Sequence, residues 1–343
     1  MPYHVSLPQI TQLSVSQQQA LNEKEPLNLS GGPGTGKSLV SLWRHIRNYN
    51  LNAKRSLLLT YTLSLEHYLR QTVREESEAA ASHVSRTYKW LSRGEEQYDE
   101  IILDEGQDIW KPDFERLFEY TENIAYGADR RQSIYLDDTQ THDLFTWLNS
   151  DERFKNNVSI ELFKNYRNSR EILLFIRALF PHFVIHRSTI KDAPATNLKP
   201  VIKRALGNEP SSHALYAKQV VAAYTSPTHN IGILVPLRDQ VDYYLDKLSD
   251  LLGQGTAITA YRNGLPFASI ENVHITTYKS AKGLEFDTVI LPEFDKYVTN
   301  IAAFNWVSEE LYYVAITRAK RNLFLLCSDA ALPMDFGDSV NYE

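Results

Sequence analysis

The chain has 343 residues, 43% hydrophobic and 23% charged, which fits about two globular domains of ~150 residues rather than a fibrous or disordered polymer. Its net charge of −6 excludes binding nucleic acid by bulk charge alone, and the deficit lies in residues 1–150, which carry 15 Lys+Arg against 21 Asp+Glu. A single cysteine, Cys327, excludes a disulfide framework or cysteine-rich metal site; with no apolar run of the ~18 residues a membrane span needs, and no basic-then-apolar opening in MPYHVSLPQITQ, the expectation is a cytoplasmic protein without a signal peptide.

In chain order, PLNLSG is brief, apolar and stopped by glycine, the pattern of a buried strand. It runs into GGPGTGKS, Gly31 to Ser38, which fits G-x-x-x-x-G-K-[ST] between a strand and a helix. In that setting the glycines let backbone N–H groups turn inward around phosphate oxygens, and the helix N-terminus adds partial positive charge. Gly32, Pro33, Gly34, Thr35 and Gly36 read as the cradle, Lys37 as the side chain reaching the β- and γ-phosphates, and Ser38 as a Mg²⁺ ligand. Behind them Leu39, Leu42, Trp43, Ile46 and Tyr49 recur at helical spacing. RSLLLTYT and EIILDE are the next strands. Asp104 ends the second of these, where it can hold Mg²⁺ through water, and the adjacent Glu105 can take a proton from an attacking water. NIAYGAD is a further strand; Asp129 and Gln132 follow at its end, where an amide can sense a γ-phosphate.

The polar stretch SDERFKNN marks a domain boundary, giving domains 1–152 and 153–343. NIGILVPL then reads as a strand, followed by a helix with Val241, Tyr244, Leu245, Leu248, Leu251 and Leu252 on one face. NVHITTY, DTVILPEF and NLFLLCS are strands, with Ser308 to Lys320 as a helix between the last two. The alternation implies an α/β protein whose parallel sheets have helices on both faces.

Read together, the motifs resemble superfamily 1 helicases of the UvrD/Rep type, in order across nearly the whole chain. LSVSQQQAL is similar to the glutamine motif, GGPGTGKS and LDEGQD to the nucleotide-binding pair, and ADRRQSIY to the third motif. NYRNS resembles the fourth motif, TYKSAKGLEFD the fifth and YVAITRAKR the sixth. The resemblance implies two RecA-like P-loop NTPase domains with ATP in the cleft between them, using ATP and Mg²⁺. It implies that Gln17 contacts adenine, Tyr166 stacks on it, and Gly283 and Glu285 lie near the γ-phosphate and ribose. Arg167 and Arg318 are then the two arginine fingers, and with Lys37, Glu105 and Gln132 they make the catalytic set. LLLTYT followed by Arg70, and SRTYKW, resemble the first domain's nucleic-acid contacts, so Tyr61, Thr62, Thr87 and Tyr88 are expected in a strand-binding groove with Thr277 and Lys279. Lys320 and Arg321 read as a solvated helix end.

The chain departs from that pattern in three ways. About 30 residues, 70–100, separate Arg70 from the ILDE strand, which leaves out the large accessory insertions that grip duplex. LDDTQTHDLF replaces the usual Gly-aromatic-Arg-Gly run whose aromatic stacks on a base; Tyr135, Phe145 and Trp147 are the substitutes at hand. Leu39 stands where an arginine is common near adenine, and Lys279 where histidine is common. The expected activity is ATP hydrolysis stimulated by single-stranded DNA, or RNA, with 3′-to-5′ translocation. The alternative is an ATP-switched subunit controlling a partner nuclease or effector in a repair or defence complex. On either reading a protein partner supplies duplex handling or nuclease activity.

Overall fold

The computed structural model describes residues 3, 7–94, 96–253, 256–262, 269–329 and 335–343; residues 1, 2 and 4–6 of the opening stretch lie outside them. Contacts divide the chain into two units. One runs from residue 7 to Asn165, and the other from Tyr166 to Glu343, which also takes in Tyr3.

In the first unit the strands are β1 (Leu27–Ser30), β2 (Ser56–Thr60), β3 (Val84–Arg86), β4 (Glu100–Leu103), β5 (Ile124–Ala128) and β6 (Val158–Glu161). Their order among the described residues is β3-β2-β4-β5-β1-β6, with every pairing parallel. Parallel neighbours need crossover connections, and those here cover both faces of the sheet. Leu57 and Leu59 of β2 and Ile101 and Leu103 of β4 enter one core with Phe114 and Trp147. Leu58 and Ile102, one residue out of phase, enter the other with Val40, Ile46 and Leu69. A two-residue period splitting one strand between two cores accounts for the continuous apolar runs.

Helix Lys37–Asn50 follows β1 and buries Val40, Leu42, Trp43 and Ile46. A buried ion pair fixes its angle: Arg44 Nη2 lies 2.6 Å from Glu100 Oε1 at the start of β4. Arg44 also donates to the carbonyl oxygens of Glu23 and Glu25, just ahead of β1. With its charge paired and its other donors satisfied, this arginine is tolerated inside the unit.

The second unit contains β7 (Val201–Lys203), β8 (Ile231–Val235), β9 (Ile258–Tyr261), β10 (Val273–Thr277), β11 (Phe286–Leu291), β12 (Ala319–Leu326) and β13 (Asn341–Tyr342). Their order is β13-β7-β12-β11-β8-β10-β9, again parallel throughout the described pairings. Ile231, Ile233 and Val235 pack against Ala214, Ala217 and Val221 of one helix and Val241, Tyr244 and Leu248 of the next.

Three expectations need correction. The division falls between Asn165 and Tyr166 rather than at 152/153, because Val158–Glu161 pairs with β1 and extends the first sheet. The helix expected over Ser308–Lys320 ends at Ile316, and the chain is already in β12 at Ala319. Lys320 and Arg321 are therefore strand residues, not a helix end. Strand β12 starts earlier than its apolar run because Phe286 of β11 pairs with Ala319.

Candidate functional site

Glycine opens the phosphate-loop helix for steric reasons. Gly36 has φ 92°, and a Cβ there would come within 2.3 Å of Gln17 Nε2. Gln17 is buried beneath the loop and donates to Thr35 O at 2.9 Å. Its Oε1 accepts from Ser14 N at 2.9 Å, closing a capping box on helix Val15–Asn22. The Gln17 amide thus ties the loop to that helix. Thr35 Oγ1 donates to Gly32 O at 2.9 Å. Lys37 Nζ lies inside the same curve, donating to Gly31 O at 2.8 Å and Gly32 O at 3.1 Å. Asn165, which sequence reasoning passed over, is buried and donates to Pro33 O at 2.7 Å. Its available signal was its place at the head of NYRNS.

The carboxylates stand where the sheet order puts them. Strand β5 lies between β1 and β4, so the loop after β1 and the end of β4 face each other across it. At Gly127 of β5 an added Cβ would already touch Lys37 Cβ at 3.4 Å and reach 4.0 Å from Asp104 Oδ1. A side chain larger than alanine would fill the gap between lysine and aspartate. Ser38 lies close enough to Asp104 to favour its charged form. Burial first, and then the neighbouring Glu105, push the Asp104 carboxyl up to about 7, against the pull of Ser38 and Lys37. Asp104 Oδ2 is buried with no hydrogen-bond partner among the described residues. A buried carboxylate held beside a hydroxyl, with an unused oxygen and an unfavourable charge, fits a divalent cation.

Glu105 has φ 57° and ψ 45°, a left-handed conformation forced on a non-glycine residue between β4 and the turn Gly106–Asp108. Its Oε2 accepts from the Gln107 amide. Gln107 Oε1 in turn accepts from Asp129 N at 3.0 Å, and Gln132 Nε2 donates to Asp129 Oδ2 at 2.9 Å. Glu105, Gln107, Asp129 and Gln132 at the ends of β4 and β5 therefore form one network, in which Gln132 is bonded to Asp129.

In the second unit, Tyr166 is half-exposed, and Arg167 donates through Nε to Glu285 Oε2 at 2.9 Å. Lys320 Nζ sits 2.8 Å from Glu285 Oε1. Burial raises the Glu285 carboxyl, but Lys320 and Arg167 outweigh it and hold it down at about 2. Gly283, with φ 84°, precedes this residue by one turn of loop. Arg318 is 1% exposed. Its guanidinium donates to Val314 O at 2.9 Å, Leu284 O at 3.3 Å and Thr317 Oγ1 at 3.1 Å.

Of the residues expected in the strand-binding groove, Tyr88 is 80% exposed and Tyr61 40%. The Tyr61 ring lies 4.4 Å from that of Tyr135. Thr62 caps helix Leu63–Glu76 by accepting from Leu65 N. Thr87 is buried and donates to Thr60 O at 3.3 Å, and Thr277 is buried and donates to Ser280 Oγ at 3.0 Å. Lys279 is half-buried, and desolvation, with Arg238 nearby, lowers its ammonium pKa. Trp147 is buried and Phe145 packs on the same core, which leaves Tyr135 as the accessible aromatic of the three substitutes. The sequence reading missed a basic cluster close by. Glu66 accepts from Arg70 Nη2 at 2.9 Å, Arg86 Nε at 2.9 Å and Lys89 Nζ at 3.1 Å.

Residues 234–329 match the UvrD-like helicase C-terminal domain family. No curated protein matches the chain. Among solved structures, the helicase nonstructural protein 10 of an arterivirus is similar over 91% of this chain and 61% of its own, at 13% identity and a TM-score of 0.44. The C-terminal domain of a possible DNA helicase from Lactobacillus plantarum is similar over 52% of this chain and 98% of that domain, at 18% identity and a TM-score of 0.38. The chain thus spans about three fifths of the viral helicase it matches. No described helix is long and apolar enough to cross a membrane.

Proposed function

With residues 234–329 a UvrD-like helicase C-terminal domain, we propose that this chain is an ATP-hydrolysing motor of the superfamily 1 type. It acts on single-stranded nucleic acid, DNA in the first instance, and moves 3′ to 5′. The observation that carries the reading is the buried Asp104 carboxylate, its Oδ2 without a hydrogen-bond partner among the described residues, facing Lys37 across Gly127.

On this reading the loop N–H groups and Lys37 hold the β- and γ-phosphates, while Ser38 and Asp104 hold Mg²⁺. When bound there, Mg²⁺ would offset the charge of the phosphates. Glu105, aimed by its left-handed backbone and the Gln107 amide, accepts a proton from the attacking water. Gln132, through Asp129 and Gln107, links the γ-phosphate region to that base. Arg167 and Arg318 bring positive charge to the transferring phosphoryl group, an effect that can reach ~10³–10⁵ in rate. Tyr166 and Gln17 address adenine. Tyr61, Thr62, Tyr88 and Lys279 face the strand, while Thr87 and Thr277 are buried and bond to Thr60 O and Ser280 Oγ.

The test is ATP turnover with and without a poly-dT oligonucleotide, in wild type and Lys37→Ala. Strong stimulation that the substitution abolishes supports the motor. The second reading, an ATP-switched subunit for a partner nuclease or effector, draws on the short path from helix Leu63–Glu76 to β4. Among its described residues that path holds a four-residue helix, β3 and a five-residue helix, which leaves little room for a duplex-gripping insertion. It predicts no stimulation by poly-dT, and instead a change in partner affinity with nucleotide state.

A further inference from the structure

Glu285 carries two cations on one carboxylate. Arg167 takes Oε2 and Lys320 takes Oε1, at 2.9 and 2.8 Å. All three side chains are largely shielded, at 17, 28 and 27% exposure for Arg167, Lys320 and Glu285. The backbone of Glu285 is also fixed from behind. Glu285 N donates to the Tyr3 hydroxyl at 3.1 Å, and that hydroxyl donates back to Glu285 O. Tyr3 itself packs edge-on against Phe286 and donates from its backbone N to Ile270 O. Lys320 is equally well placed, one residue beyond the Phe286–Ala319 pairing of β11 with β12. One carboxylate needs one cation; here Glu285 has two, and Asp287 also acts on Lys320.

We infer that Lys320 is a positioning residue: it neutralises Glu285 so that Arg167 can leave that carboxylate for the γ-phosphate of a bound nucleoside triphosphate. The inference rests on the nucleotide reading above. If Arg167 alone compensated Glu285, its departure would strand a shielded negative charge, and the arginine would stay. With Lys320 in place Glu285 keeps a cation after the exchange. The pKa direction agrees, since Lys320 contributes more than Arg167 to holding the Glu285 carboxyl down. A lysine that only stabilised the fold would affect every nucleotide alike. One that frees Arg167 affects only nucleotides with a γ-phosphate.

The experiment compares the affinities of Mg·ADP and a non-hydrolysable Mg·ATP analogue in wild type, Lys320→Met, Lys320→Arg and Lys320→Met/Glu285→Gln. Expected is a loss of about tenfold for the triphosphate in Lys320→Met, about 1.4 kcal/mol, with ADP within twofold of wild type. Lys320→Arg, which keeps the charge, restores the preference. The double variant restores it too, because no charge remains to retain Arg167; any lost ribose contact would weaken both nucleotides equally and leave the ratio intact. Equal weakening of both nucleotides in Lys320→Met, an unchanged ratio, or a double variant that fails to recover overturns the inference. Wild-type protein that binds neither nucleotide overturns the underlying nucleotide reading as well, so the two failures are distinguishable.

Discussion

Asn168 brackets Arg318: its side-chain amide donates to Thr317 O at 3.0 Å and to Ala319 O at 2.7 Å, the carbonyls on either side of the arginine. Asn168 is fully buried, and Ser169 N donates to Lys320 O beside it. The loop that carries Arg167 and the turn that carries Arg318 are thereby held as one piece within the second unit. Asn168→Ala removes both donors and leaves two buried carbonyls unsatisfied, a loss of roughly 2–4 kcal/mol. Denaturant unfolding measures it; a loss below about 0.5 kcal/mol would show that the bracket does not hold the turn.

The three cations on Glu66 leave a local +2 on a chain whose net charge is negative. If the surface beside Tyr61 and Tyr88 takes a nucleic-acid backbone, Arg86→Ala and Lys89→Ala each weaken oligonucleotide binding regardless of sequence. Each lowers the slope of log affinity against log salt by about 0.7, the single-strand value per phosphate contact. Fluorescence anisotropy over a salt series checks this, and an unchanged slope places the backbone elsewhere.

Tyr61 and Tyr135 form a tilted ring pair in the same unit. With the usual third-motif aromatic replaced by LDDTQTHDLF, this pair offers an aromatic surface for a base. Tyr61→Ala is expected to cost about 1–3 kcal/mol of single-strand affinity. Tyr61→Phe should retain most of it, because stacking needs the ring and not the hydroxyl. Equal loss in both variants would contradict stacking.

Much of the first sheet and the tight loop after β1 was legible because buried parallel strands read as unbroken apolar runs and glycine spacing marks a tight loop. Strands β3, β7 and β13 escaped notice at two or three residues each, and β6 because its outer face is polar and exposed at the sheet edge. The displaced boundary follows from β6. Lys320 was misread because a basic residue after an apolar run looks solvated; only the pairing of β11 with β12 brings it to Glu285. Asn165 and Gly127 act through a backbone carbonyl and an absent side chain, neither of which leaves a pattern in composition.

Two buried histidines predict acid sensitivity. His45 pairs with Ser56 Oγ and Ala80 O, and burial lowers its pKa to about 4. His274 on β10 is lowered by burial to about 3. Both fall below the unfolded value of about 6.5, so the unfolded chain binds these protons first. Stability is then complete above pH 6.5 and declines as pH falls towards 4, by about 1.4 kcal/mol per pH unit for each histidine. Between pH 7.5 and 4.5, His45→Gln should lose roughly 2 kcal/mol less than wild type in denaturant unfolding. Equal losses would show that His45 is not the titrating group.

The central proposal is that Arg167 acts on the transferring phosphoryl group of a bound nucleoside triphosphate. Poly-dT-stimulated ATP turnover of Arg167→Ala, measured beside its affinity for Mg·ADP, tests it most directly. The account predicts turnover reduced by about 10³ with ADP affinity unchanged. Turnover within threefold of wild type, at saturating ATP and oligonucleotide, would contradict it.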